Sequence, residues 1–176
     1  IPLGPQSRFT EYVDAVPGLE DTDVSASITA TGPIIVERAM YWPGPFTEWR
    51  EAHASAGVTT TSTKWVMAEG EYGGPLGFDT YILVANTSAF AGTARVTLLF
   101  EDGTPPVAKE VALAPNSRTN VDVWGAFPGA RDKVFGAIVE SLGSTPAQVV
   151  VERAVYYSRN GLFWSAGTNA LATRLQ

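Results

Sequence analysis

No cysteine occurs among the 176 residues, which excludes a disulfide scaffold, a thiolate metal site and a cysteine nucleophile. A single histidine, His53, leaves no set of imidazoles for a metal centre. Charged residues make up only 17%, so Thr, Ser, Gly and Pro carry much of the surface, as they do in many secreted β proteins. The 12 Lys and Arg are scattered singly and the net charge is −6. That distribution offers no footprint for nucleic acid, and an anionic membrane surface repels it. No apolar run approaches the roughly 18 residues that cross a bilayer, so no membrane insertion is expected. Paired catalytic carboxylates, a phosphate-binding glycine loop and a cofactor box are all missing. The expectation is a soluble protein that is not an enzyme, with no catalytic residue, cofactor or metal.

What is present is a globular composition, 45% hydrophobic, with self-similarity inside it. Ile35-Val36-Glu37-Arg38-Ala39-Met40-Tyr41-Trp42 recurs as Val150-Val151-Glu152-Arg153-Ala154-Val155-Tyr156-Tyr157, at an offset of 115. Upstream, Pro5-Gln6-Ser7-Arg8 matches Pro115-Asn116-Ser117-Arg118 at 110, Pro17-Gly18 matches Pro128-Gly129, and residues 24–28 match 134–138. Trp49 matches Trp164. The extra residues of the second copy fall in the turn-rich Ser141-Leu142-Gly143-Ser144-Thr145-Pro146. On this reading residues 1–63 hold the C-terminal half of a repeat and residues 64–176 a complete one. The opening Ile1-Pro2-Leu3-Gly4-Pro5, with neither Met nor a signal peptide, reads as a processed or truncated start. Either upstream sequence or a neighbouring subunit is expected to complete the first unit.

Alternation and β-branched or aromatic content predict strands over 64–69, 80–86, 93–101, 108–114, 118–124, 134–141 and 148–157. The partial unit adds 8–13, 24–29, 34–42 and 52–58. Gly73-Gly74-Pro75, Glu101-Asp102-Gly103-Thr104-Pro105, Pro115-Asn116-Ser117 and Pro128-Gly129 are turn signals between them. A short helical turn is expected within 121–127. The pattern predicts an all-β fold: immunoglobulin-like β-sandwich modules in tandem, the first incomplete.

The V-E-R-A-M-Y-W segment at 36–42, H-A-S-A-G-V at 53–58, W-V-M-A-E-G at 65–70 and F-D-T-Y-I-L-V-A-N at 78–86 resemble a poorly characterised bacterial repeat. Such modules stand in tandem, often toward the C-terminus, in large secreted or surface-anchored proteins. The last stretch, Trp164-Ser165-Ala166-Gly167-Thr168-Asn169-Ala170-Leu171-Ala172-Thr173, looks like a terminal version of the W…H-A-S-A-G-V segment. The resemblance spans nearly the whole chain. It implies a β-sandwich with a structural or interaction role in an extracytoplasmic protein, and it brings no catalytic residues.

Among single residues, Glu37-Arg38 and Glu152-Arg153 stand out. Strand neighbours point to opposite faces, so one member of each pair lies on a largely apolar face and needs a partner. Glu69 is a candidate partner for Arg153 or Arg38, and a structural ion pair explains these charges better than an acid–base site does. His53 lies close to Ser55, but its counterpart is Thr168, so the repeat has no need of the imidazole. The acidic run Glu20-Asp21-Thr22-Asp23 lacks the glycine-centred loop of a calcium site and reads as a solvated turn. Asn86-Thr87-Ser88 fits a glycosylation sequon but reads as a turn. Trp42, Trp49 and Trp164, from a wider set with Trp65, Trp124, Phe46 and Phe163, form a possible aromatic ligand face for carbohydrate, although Trp residues beside repeat motifs are more simply packing. Two functional expectations follow: a structural or assembly module acting through other protein subunits or upstream modules, or a ligand-binding module using exposed aromatics.

Overall fold

A computed structural model describes residues 1–43 and 50–175. The ordered body begins at β3 (Lys64–Met67) and continues through β4 (Glu71–Tyr72), β5 (Phe78–Asn86), β6 (Gly92–Phe100), β7 (Val107–Leu113) and β8 (Ser117–Asp122). A single helical turn, α1 (Val123–Ala126), and a 3-10 turn (Pro128–Ala130) follow. The chain then runs through β9 (Lys133–Ser141), β10 (Val149–Arg159), β11 (Leu162–Leu171) and β12 (Thr173–Arg174). Two antiparallel sheets result, ordered β11-β10-β5-β8 and β12-β3-β9-β6-β7, with β4 also pairing β9. The fold is all-β and sandwich-like.

Alternation explains the layers. Strand β5 turns Ile82 and Val84 inward while Tyr81 and Leu83 face out, and β9 turns Phe135, Ala137 and Val139 inward. These meet Val96 and Leu98 of β6 and Val149 and Val151 of β10 in one core. The Trp65 indole, inside this core, donates to the Val149 carbonyl at 3.0 Å and so leaves no buried donor unpaired. Asn116, at φ 44°, takes the left-handed conformation that the turn into β8 requires, which asparagine tolerates better than most residues.

Residues 1–63 behave differently. Their described residues contain one 3-10 turn (Val13–Ala15) and one hairpin, β1 (Glu37–Trp42) with β2 (Glu51–Ala56). Strands predicted over 8–13 and 24–29 do not form, and the predicted 34–42 shortens to Glu37–Trp42. The physical reason is pairing: a strand needs a neighbour for its backbone groups, and among the described residues no strand pairs its backbone with those segments. Strand β11 escaped the sequence reading because its Ser-Ala-Gly-Thr-Asn-Ala run has little β-branched content. Pairing to β10 makes it a strand regardless. The predicted helical turn within 121–127 is α1.

The structure also moves one sequence match by a residue. An offset of 110 sets Ser25, Ser27 and Thr29 against the inward-facing Phe135, Ala137 and Val139. The offset of 111 already shared by Pro17-Gly18 and Pro128-Gly129 sets Val24, Ala26 and Ile28 there, which suits a core face. In this structure, however, Ile28 is 55% exposed where Val139 is 0%. The contrast defines a test in chemical denaturation. Leu98→Ala, at a fully buried site, should lower unfolding free energy by about 2–5 kcal/mol. Ile28→Ala should leave it within about 0.5 kcal/mol. A comparable loss in both would show that residue 28 is packed.

Candidate functional site

The site that the fold builds is the outer face of the sheet β11-β10-β5-β8 together with the hairpin lying across it. Cross-strand register sets Glu152 beside Leu83, Ala154 beside Tyr81 and Tyr156 beside Asp79, all on that face. Strand β11 contributes Gly167 opposite Tyr156. A Cβ on Gly167 would stand 2.5 Å from the Tyr156 ring, so glycine lets the ring lie over the strand.

The hairpin presents Arg38, Met40 and Trp42 from β1 to this face, with Ser55 and His53 from β2 beside them. Arg38 donates through Nη2 to Glu152 Oε1 at 2.7 Å, and Asn169 also donates to that oxygen. The Trp42 indole donates to the Trp164 carbonyl at 3.0 Å and meets the Tyr156 ring edge-on with centroids 5.4 Å apart. Tyr156 in turn stacks on Trp164 at 4.7 Å. His53 Nε2 lies 3.4 Å from the Tyr156 hydroxyl, and its ring tilts against Trp42 at 5.3 Å. Such aromatic pairs are worth about 0.5–1.5 kcal/mol each beyond the area they bury. Among the described residues no backbone ladder joins hairpin and sheet, and the contact rests on side chains together with the Trp164 carbonyl. Farther along, the Arg118 guanidinium donates to the Val24 carbonyl at 3.1 Å, and Asn120 donates to Asp23, tying the N-terminal segment to the edge strand β8.

The ion-pair candidates separate cleanly. Glu69 belongs to Arg153: Arg153 Nη1 donates to the Glu69 carboxylate at 2.7 Å and to its carbonyl at 2.9 Å. Arg153 is buried between the sheets, and its Nε has no hydrogen-bond partner. Arg38, the match of Arg153, pairs with Glu152, and Glu37 is exposed on the far side of β1. Of the proposed aromatic face, Trp42 and Trp164 come together, but Trp42 is buried at 9% exposure and offers no open surface. Trp49 and Phe46 lie outside the described residues. Phe163, from the same aromatic set, is 60% exposed and stacks on Trp164 at 4.8 Å. The His53 imidazole is engaged by the Tyr156 hydroxyl and the Trp42 ring. Among the described residues no group of three or more His, Asp or Glu could hold a metal ion, and no helix is long and apolar enough to cross a membrane.

Burial pushes the Tyr156 hydroxyl up and, with Asp79 nearby, raises Tyr81 to about 12. Burial, helped by the Arg38 charge, pushes the His53 imidazole below its ordinary value, and Glu152 only partly opposes this. The docked hairpin therefore favours neutral His53.

No family model and no curated protein matches the chain. Among solved structures, the crystal structure of Thermotoga maritima 1070 is 19% identical and superposes with a TM-score of 0.53, covering 65% of this chain and 95% of that one. The Anabaena sensory rhodopsin transducer matches at 19% identity and a TM-score of 0.44, over 55% of this chain and 86% of that one. The Thermotoga likeness is one of fold.

Two outcomes follow from this geometry. Arg153→Ala should cost about 1–3 kcal/mol of global stability, from the lost bonds to Glu69, whose own carboxylate is wet and needs no replacement partner. Arg38→Ala should leave the global transition within about 1 kcal/mol but speed amide exchange in β1 and β2. Equal global effects in calorimetry would contradict this placement. The second outcome concerns pH. Because the folded imidazole binds its proton less readily than the free side chain, hairpin docking should be complete above about pH 6.5 and weaken as pH falls through the depressed value. His53→Gln should remove that dependence, read as near-ultraviolet dichroism of the Trp42–Tyr156 pair between about pH 7.5 and 5.

Proposed function

We propose that this protein is a non-catalytic structural or assembly module of a bacterial surface or other extracytoplasmic protein, acting through protein–protein contacts. One observation carries the reading. Ile1, Leu3, Phe9, Tyr12, Ile28, Ile34 and Ile35, all from the first 36 residues, stand exposed, Ile35 at 99%. Isolated apolar side chains on a surface are ordinary, but a run of this density within one segment marks an interaction surface. The hairpin illustrates the contact mode, since it packs over Tyr156, Ala154 and Leu83 with no strand ladder among the described residues. On this reading the sandwich of residues 64–175 is one immunoglobulin-like module, and residues 1–63 belong to a second, open one.

A second reading has its own observation. The exposed Phe163 ring stacked on Trp164 is the kind of platform on which a sugar ring sits, so a carbohydrate-binding role at the β10–β11 turn is the alternative. It predicts quenching of Trp fluorescence on titration with oligosaccharides and loss of that response in Phe163→Ala.

The assembly reading predicts that the full chain binds a hydrophobic dye and associates with rising concentration in analytical ultracentrifugation. A full chain carrying Ile28→Asp, Ile34→Asp and Ile35→Asp, all at exposed sites and with the hairpin still covering its sheet, should do neither. A full chain that stays monomeric to high concentration and leaves the dye dark would overturn the proposal.

A further inference from the structure

The hairpins β1–β2 and β10–β11 pair in one register relative to the sequence match. Glu37 opposes Ala56 as Glu152 opposes Leu171, Ala39 opposes Ala54 as Ala154 opposes Asn169, and Tyr41 opposes Ala52 as Tyr156 opposes Gly167. Their surroundings are inverted. In β10 the face carrying Arg153 and Val155 looks into the sandwich, and strand β5 lies alongside. In β1 the matching face, Arg38 and Met40, lies on the outside of someone else's sheet, that of residues 64–175.

The same inversion runs upstream. Val13 is 37% exposed where its match Val123 is 0%, and Ile34 is 42% exposed where its match Val149 is 0%. Ile28 and Val139 show the contrast already described. Together the matches assign to residues 8–56 the parts of β8, α1, β9, β10 and β11. Nothing in the segment corresponds to β3 through β7, which occupy residues 64–113 and which cover these very positions in the complete sandwich.

Arg38 adds a charge to the argument. Its counterpart Arg153 is received by Glu69, at the end of β3, through carbonyl and carboxylate together. Arg38 makes do with one oxygen of Glu152, while Nε is without a partner in both arginines. A guanidinium with five donors and one acceptor is poised for a further carboxylate.

We propose that residues 8–43 and 50–56 are an acceptor half-sandwich for a polypeptide segment with the strand pattern of residues 64–113, and that Arg38 receives that segment's counterpart of Glu69. This rests on reading the protein as an assembly module and names the chemistry of its partner. On binding, the segment pairs with residues 24–30 and 34–42 as added strands, and Val13, Ile28, Ile34 and Met40 enter a second core. The hairpin then leaves the outer face of the first sandwich, so the Arg38–Glu152 pair and the Trp42–Tyr156 contact are given up.

The test adds residues 64–113, fused to a soluble carrier, to the full chain. A one-to-one complex should form in analytical ultracentrifugation, and amide exchange over residues 24–36 should slow by more than about tenfold. Glu69→Gln in the added segment should weaken the complex at least about tenfold, because it removes one partner of a buried charge pair. Glu152→Gln in the full chain should leave the affinity unchanged or higher. Ile28→Asp, at a site already exposed, should abolish binding while the full chain melts as before. Absence of binding, or binding without protection of residues 24–36, overturns the proposal. So does insensitivity to Glu69→Gln. Self-association that itself protects residues 24–36 also overturns it, in favour of a second copy. In each case dye binding by the full chain would still stand as evidence for an assembly role, so the two readings fail separately.

Discussion

Strand β10 sends Val149, Val151 and Arg153 into the sandwich and Glu152, Ala154 and Tyr156 outward, and both sets are covered. A central strand with two dry faces constrains everything around it. The inner face demands the second sheet, supplied by β3, β9 and β6. The outer face demands a further layer, and the hairpin β1–β2 provides it with Arg38 for the acid and Trp42 for the ring. Without that layer Tyr156, Ala154 and Leu83 would form an exposed apolar patch on an otherwise ordinary sandwich.

The two layers are held by different physics. Between β10 and its neighbours β5 and β11 runs a continuous antiparallel ladder. Between the hairpin and the sheet the described residues form no ladder; the contact includes the Arg38–Glu152 ion pair, the Trp42 indole bond to the Trp164 carbonyl, the His53–Tyr156 contact and a group of tilted and edge-on rings. The ladder breaks only with the fold, whereas side-chain contacts can open while both partners stay folded. Ser62, bonded in both directions to the Val149 backbone, pins the start of the sandwich and leaves the hairpin on a short tether beyond it. The hairpin can thus detach at lower cost than β10, which two ladders hold.

Two arginines make the same point at the scale of one residue. Arg38 and Arg153 occupy matching places in nearly identical octapeptides, yet one lies at an interface and the other inside a core. Alternation puts Glu and Arg on opposite faces in both copies. Which face becomes interior depends on what else is present to cover it. An octapeptide with an acid on one side and a base on the other can be packed from either side, with an opposite charge as the only requirement.

How much of this could be read from the chain follows the same division. The strands of residues 64–157 were legible because β-branched and aromatic residues alternate between turns made of Gly, Pro and Asn, which is local information. Pairing of Glu69 with Arg153 was legible as one of two options, since a charge on an apolar face needs a partner. Local pattern also suggested strands over 8–13 and 24–29, and there it misled, because a strand is made by its neighbour as much as by its residues. The converse case is β11, whose Ala-Gly-Asn sequence carries no strand signal and which β10 nevertheless draws into the sheet. The fate of Trp42 belongs to the same class: an aromatic beside a repeat motif could be a platform or a plug, and only the position of Tyr156 and Trp164 makes it a plug. The sequence by itself determined the strand-rich class, the polarity of each strand's two faces and the internal matches. Tertiary structure alone decided which matched face is buried and by what, because burial depends on residues far away in the chain and alternation does not.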